Sequence, residues 1–189
     1  MILKITIISI YSGMSLYSVN PKFIRLFVAS IVLMACWIAF MRYELDPFTS
    51  TEIVRFEFSG TKQNVEAILS HWQEMNWIEL AKHSVYLDFI FLFLYGSTLA
   101  LACLTFPAFS NKPDLMVWGM RFYRFSLYAA LSDFFENLCL LEIIYGSEHS
   151  FFPAAAWLFA FIKFSIIVAV LVFLLLCLIQ GLLYRLRNP

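Results

Sequence analysis

The sequence predicts an all-α membrane protein, a four-helix transmembrane bundle with a short extracytoplasmic amphipathic helix. Three observations carry this. The 189 residues are 62% hydrophobic and 14% charged, whereas soluble domains are about half apolar and about a quarter charged. The apolar residues gather into four runs, at about 23–41, 84–107, 125–145 and 153–183, each long enough to approach or exceed the ~20 residues that a bilayer-crossing helix needs. The charges between the runs are segregated by sign. The formal net charge is zero, and no basic patch with interleaved aromatics suggests a nucleic-acid partner.

The N-terminal arm, residues 1–22, carries Ile2, Leu3, Ile5, Ile7, Ile8 and Ile10 around Lys4. It is too short to span and is expected in the cytosol or on the membrane interface. A signal peptide is disfavoured because Ser12–Asn20 lacks a small-x-small site and a full apolar run follows at once; Met14 is an alternative start. The first span follows Asn20-Pro21, with Lys22 and Arg25 at its start and Trp37 toward its far end.

Residues 42–83 form the extracytoplasmic segment. Seven acids (Glu44, Asp46, Glu52, Glu57, Glu66, Glu74 and Glu79) face few bases there. The alternation in Val54-Arg55-Phe56-Glu57-Phe58 predicts a short strand or extended arm. Thr61 is a suitable N-cap. Val65, Ile68, Leu69 and Trp72 then share one apolar face of a helix over 62–74, lying on the membrane or the bundle top, with Trp72 and Trp77 as headgroup-level anchors.

In the second span Gly96 and Ala100 form a small-xxx-small pair that allows close helix approach. Residues 109–124 read as a polar turn around Asn111-Lys112-Pro113-Asp114. Residues 146–150 close the third span, and the fourth apolar run exceeds a ~30 Å hydrocarbon core, so it must tilt or protrude. Lys4, Lys22, Arg25, Lys112, Arg121, Arg124, Arg185 and Arg187 fall on one side of the spans with a single acid, Asp114. The positive-inside rule then places both termini of a multi-pass protein in the cytoplasm.

Ionisable residues inside a span are costly and mark either a site or a lock. Asp88, Asp133, Glu136, Glu142 and Lys163 lie in or near the spans. Asp133, Glu136 and Asn137 are i, i+3, i+4 and share one helix face, which must turn inward. At ~1.5 Å per residue, Glu136 lies about 14 Å from the outer end of its span and Lys163 about 10–18 Å from the same side. Lys163 is therefore expected to meet Glu136, with Asp88 above and Asp133 below, while Glu142 is solvated. The cluster Asp88, Asp133, Glu136, Asn137 and Lys163 is either a ligand- or proton-binding site or a structural lock that holds the helices in register.

Other chemistry is poorly represented. Cys36, Cys103, Cys139 and Cys177 form no C-x-x-C pair and read as small apolar residues. His71, His83 and His149 lie on the outer side without H-E-x-x-H spacing. No metal, cofactor or catalytic residue is assigned, and there is no G-x-S-x-G, P-loop or G-x-G-x-x-G.

Three pieces together resemble a family of small uncharacterised bacterial four-helix integral membrane proteins. They are Phe56-Glu57-Phe58-Ser59-Gly60-Thr61 with Ile68-Leu69-Ser70-His71-Trp72, then Tyr86-Leu87-Asp88-Phe89-Ile90-Phe91 with Tyr95-Gly96, and Asp133-Phe134-Phe135-Glu136-Asn137, with Lys163 fitting the same pattern. The D-x-x-E-N piece in the third span is the most specific. The resemblance covers about residues 25–183. It implies the four-span topology and the same polar residues, and it implies no reaction.

The expected function is a binding, transport or assembly-accessory role in the membrane. The partners expected are membrane lipids, a hydrophobic or lipid-like ligand, and an oligomeric or membrane-complex partner. The alternative is a membrane enzyme acting on a lipid or isoprenoid, with Asp133 or Glu136 as acid–base. An opening lined by Asp133, Glu136 and Lys163 would favour a site over a lock.

Overall fold

The computed structural model describes residues 21–110, 112–147 and 149–187. The N-terminal arm expected over residues 1–22 lies outside them, except for Pro21 and Lys22. Those two begin the first helix, α1 (Pro21–Glu44). Then come α2 (Ser50–Glu57), α3 (Lys62–Glu74) and α4 (Ile78–Thr105), which runs on into a 3-10 turn, Phe106–Ser110. Two long helices complete the chain, α5 (Pro113–Ile144) and α6 (Phe151–Arg187). The described residues contain no strand.

Three stretches are long and apolar enough to cross a membrane: Pro21–Glu44, Ile78–Ser110 and Phe151–Leu186. α5 is outside this group although it is 32 residues long, because Arg121, Arg124, Asp133, Glu136 and Glu142 interrupt its apolar sequence. Each expected span falls largely within one of the four long helices, though 84–107 runs on into the 3-10 turn.

α5 is the central element and packs along both α4 and α6. α1 leans on α4 and buries only Ser30. Two apolar layers form the core. One joins Phe48, Phe56 and Trp72 to Val85, Leu140 and Ala156. The other joins Ala102 and Cys103 to Val170, Phe173 and Cys177. Between these layers, by position along α4, α5 and α6, lie Asp88, Asp133, Glu136, Asn137 and Lys163.

Four local expectations change. Residues 54–58 are not an extended arm but end in α2. Ile53, Phe56 and Glu57 are i, i+3, i+4, so the segment carries an inward helical face too. Phe56 is fully buried against Trp72, ring centroids 4.8 Å apart. A five-residue alternation satisfies both periods, and this burial decides between them. Residues 109–124 are not a polar turn. Pro113 starts α5 at its first turn, Arg121 and Arg124 are exposed, and Gly119 is buried. The second apolar helix starts at Ile78 rather than Ser84. Trp72 is no headgroup anchor either: it is fully buried and donates its indole N–H to Glu52 Oε2 at 3.1 Å.

Other local signals are met. Thr61 caps α3, its hydroxyl accepting from the Asn64 N–H at 3.3 Å. Val65, Ile68 and Trp72 are the buried residues of α3. Gly60 turns the chain between α2 and α3 at φ +66, the left-handed region that favours glycine, and faces the Trp157 ring.

Glycines also set how closely the long helices approach. A Cβ on Gly96 would come within 2.9 Å of the Ala130 Cβ, so Gly96 permits close contact of α4 with α5. A Cβ on Gly119 would fall 2.5 Å from the Cys103 carbonyl oxygen and 2.7 Å from Pro107 Cγ. Backbone yields less readily than a side chain, so Gly119→Ala is expected to lower the melting temperature in detergent more than Gly96→Ala. Gly96→Leu is expected to cost about 1–3 kcal/mol by overpacking. Equal losses for the two alanine variants would contradict this placement.

Candidate functional site

A lysine surrounded by carboxylates lies in the layer between the two apolar cores. α6 supplies Lys163, 5% exposed. Its Nζ is 2.8 Å from Asp133 Oδ1 and 3.0 and 2.9 Å from Glu136 Oε1 and Oε2, both acids on α5. It is also 3.6 Å from Glu57 Oε2 on α2, and it sits 4.9 Å from the centroid of the Phe164 ring. The i, i+3, i+4 spacing turns Asp133, Glu136 and Asn137 inward together, at 2%, 0% and 2% exposure. Asn137 Nδ2 donates to Asp88 Oδ2 on α4 at 2.7 Å. The structure therefore brings together all five residues singled out from the sequence, with Lys163 on Asp133 and Glu136 and with Asp88 on Asn137. Glu142 is exposed. Beside the cluster, Ser132 Oγ donates to the Phe159 carbonyl at 3.0 Å, a second polar tie between α5 and α6.

Two residues of the site had not been singled out. Glu57 is buried beside Lys163, and the extended-arm reading of its segment concealed this; the helical face Ile53–Phe56–Glu57 was the available signal. Tyr95 follows Asp88 by seven residues on α4, two helical turns along the same face. Its hydroxyl is buried beside Asp133, close enough to interact but outside hydrogen-bond geometry. A buried hydroxyl left unpaired costs about 1–3 kcal/mol.

A cavity of about 840 Å³ opens onto this cluster. Glu57, Asp88, Tyr95, Asp133, Asn137 and Lys163 lie on its wall, and Glu136 does not. Its other walls are mainly apolar, with Met34 and Ile38 of α1, Leu45 and Phe48 of the following loop, and Ile53 of α2. Arg42 and Asp46 line it where α1 gives way to that loop.

Four carboxyls, Glu57, Asp88, Asp133 and Glu136, thus share one ammonium. Burial pushes the Glu57 carboxyl above its ordinary range; Lys163 opposes this and Asp133 reinforces it. The folded protein therefore holds a proton on Glu57 more tightly than the unfolded chain does. That contribution to stability is fully present below about pH 4.5, the ordinary value, and is lost as pH rises through the raised folded value.

No group of three or more His, Cys, Asp or Glu among the described residues is arranged to hold a metal ion. His71 packs against Trp77 and His149 against Phe152, and His83 is exposed. Cys103, Cys139 and Cys177 are buried thiols and Cys36 an exposed one. Comparison of the chain with protein-family models, with curated proteins and with solved structures finds no match.

Two outcomes follow from the pairing. Lys163→Met leaves buried carboxyls without their cation and is expected to cost about 3–5 kcal/mol. Adding Glu136→Gln should restore part of that loss; strictly additive losses in thermal melts would show that the pair is not coupled. Glu57→Gln should flatten the fall in melting temperature on raising pH above about 4.5. An unchanged pH profile would remove Glu57 as its source.

Proposed function

We propose that this chain is a small bacterial inner-membrane protein of four spans whose carboxylate–lysine cluster forms the polar end of a ligand- or proton-binding site. The observation that carries this reading is the cavity, apolar over most of its wall and ending on Asp88, Asp133 and Lys163. A closed network serving only as a lock has no need of such an opening. Ligand pockets are typically ~300–1,000 Å³ and mostly apolar, with a few convergent polar groups.

α5 is the fourth span in this reading. Its polar residues are turned inward, while Leu127, Tyr128, Leu131, Phe135 and Leu138 are exposed, the pattern expected of a helix with lipid outside and a polar interior. Orientation rests on charge. Lys22, Arg25, Lys112, Arg121, Arg124 and Arg185 occupy the helix ends away from α2 and α3, and those short helices hold most of the extra acids. Both termini are then cytoplasmic, with α2 and α3 as an extracytoplasmic cap. The resemblance to the D-x-x-E-N family supports the same four spans. The enzymatic alternative has less support, because Glu136 does not reach the cavity and Asp133 is held by Lys163.

Native mass spectrometry of the protein released from mild detergent tests the site. A co-purified amphiphile is expected, with occupancy reduced several-fold in Asp133→Asn. A ligand-free spectrum, together with no change in melting temperature on adding lipid extract, would count against binding and favour the lock. Single cysteines at positions 74 and 112 test the topology, and impermeant maleimide on intact cells should label only position 74.

A further inference from the structure

The polar end of the cavity is rich in acceptors and poor in donors. The Lys163 ammonium is taken up by Asp133, Glu136 and Glu57. What remains toward the cavity is the Asp88 carboxyl, with its one contact from Asn137, and the side of Asp133 away from the Oδ1 that Lys163 engages. The Tyr95 hydroxyl, on a side chain 7% exposed, lies on the same wall. Three acids beside one ammonium, and a buried hydroxyl outside hydrogen-bond geometry, meet at one end of the cavity.

The chemistry of an occupant there is constrained. A carboxylate or phosphate head would face an excess of like charge. An alcohol brings one donor and leaves the charge unanswered. A primary ammonium brings three donors and a positive charge, and it can lie against an aromatic face. Phe91 and Tyr95 offer such faces on the cavity wall, ring centroids 5.4 Å apart. The apolar side of the cavity, with Met34, Ile38 and Leu45, suits an alkyl chain.

We propose that the cavity binds an amphiphile with a primary-ammonium head and an apolar tail, its head between Asp88, Asp133 and Tyr95. This rests on reading the cavity as a binding site. The ammonium can belong to a free long-chain amine or to an aminophospholipid.

The test uses the full chain in a mild nonionic detergent at neutral pH. Its melting temperature is followed against dodecylamine, dodecanol and dodecanoate. The amine is expected to stabilise at a concentration at least tenfold below the alcohol, with no effect from the acid. Asp88→Asn should remove the amine's advantage and leave the alcohol response unchanged. If that variant fails to fold, Tyr95→Phe should weaken the amine response alone, by several-fold. Equal responses to amine and alcohol would overturn the ammonium assignment while leaving an amphiphile site standing. No response to any of the three would overturn both readings. Nanodisc-derived samples then separate the sources. Retention of phosphatidylethanolamine over phosphatidylcholine supports the assignment with a lipid occupant, and an amine response without such retention supports it with a free amine.

Discussion

The Lys163 ammonium among apolar helices is the constraint that the rest of the structure answers. A buried charge is tolerated when it is paired and its donors are satisfied. Lys163 meets that condition through Asp133 and Glu136 on one neighbouring helix and Glu57 on a short one that caps the assembly. The consequences extend beyond the contacts. The register of α5 against α6 follows from these bonds and from the Ser132–Phe159 tie beside them. The position of α2 follows from Glu57 and from Phe56 against Trp72. The two apolar layers lie to either side of the charged one, where a low dielectric strengthens each ionic contact.

In the proposed reading, lock and site fall on different atoms of one cluster. Glu136 is fully buried, engages Lys163 with both oxygens and stays off the cavity wall; its work is to hold α5 to α6. Asp88 and Tyr95 face the cavity from α4 and make no contact with Lys163 that would commit them to the lock. Asp133 does both, with one oxygen on the lysine and its residue on the wall. A helical assembly can therefore keep a rigid ionic core and still present polar groups to an occupant, because the two tasks fall on opposite sides of one lysine.

Long-range features were legible in the sequence wherever one physical rule dominated. Length and hydropathy marked three of the long helices, α1, α4 and α6, while α5 was legible as a long helix but falls short of them in apolar content. The i, i+3, i+4 spacing of Asp133, Glu136 and Asn137 placed them on one face, and rise per residue brought Lys163 to their level. Where two rules competed, the reading failed. At Val54–Phe58 the strand and helix periods both fit, and only burial of Phe56 under Trp72, a contact sixteen residues distant in sequence, chose the helix. At 109–124 charged residues suggested a turn, yet Arg121 and Arg124 lie on an exposed helical face while Gly119 packs inward. Glu57 was lost with its segment. Tyr95 was quoted only within the resemblance and given no place in the cluster, because a tyrosine in an apolar run is ordinary until the surroundings of its hydroxyl are seen. The cavity itself had no sequence signature, since it arises from how α1 leans on α4 rather than from any one stretch.

The chain order of the cluster has a consequence for how the protein is made. Glu57, Asp88, Asp133 and Glu136 all precede Lys163, and the cation arrives on α6, after all four acids. Until then α4 and α5 carry carboxyls with no counter-ion among their neighbours, and such groups remain protonated, wet, or close to the aqueous boundary. α5, which carries two of these acids, has the weaker claim of the two to partition into lipid by itself. Pairing these acids with their cation awaits α6, and the contact it adds there is ionic rather than more buried hydrocarbon.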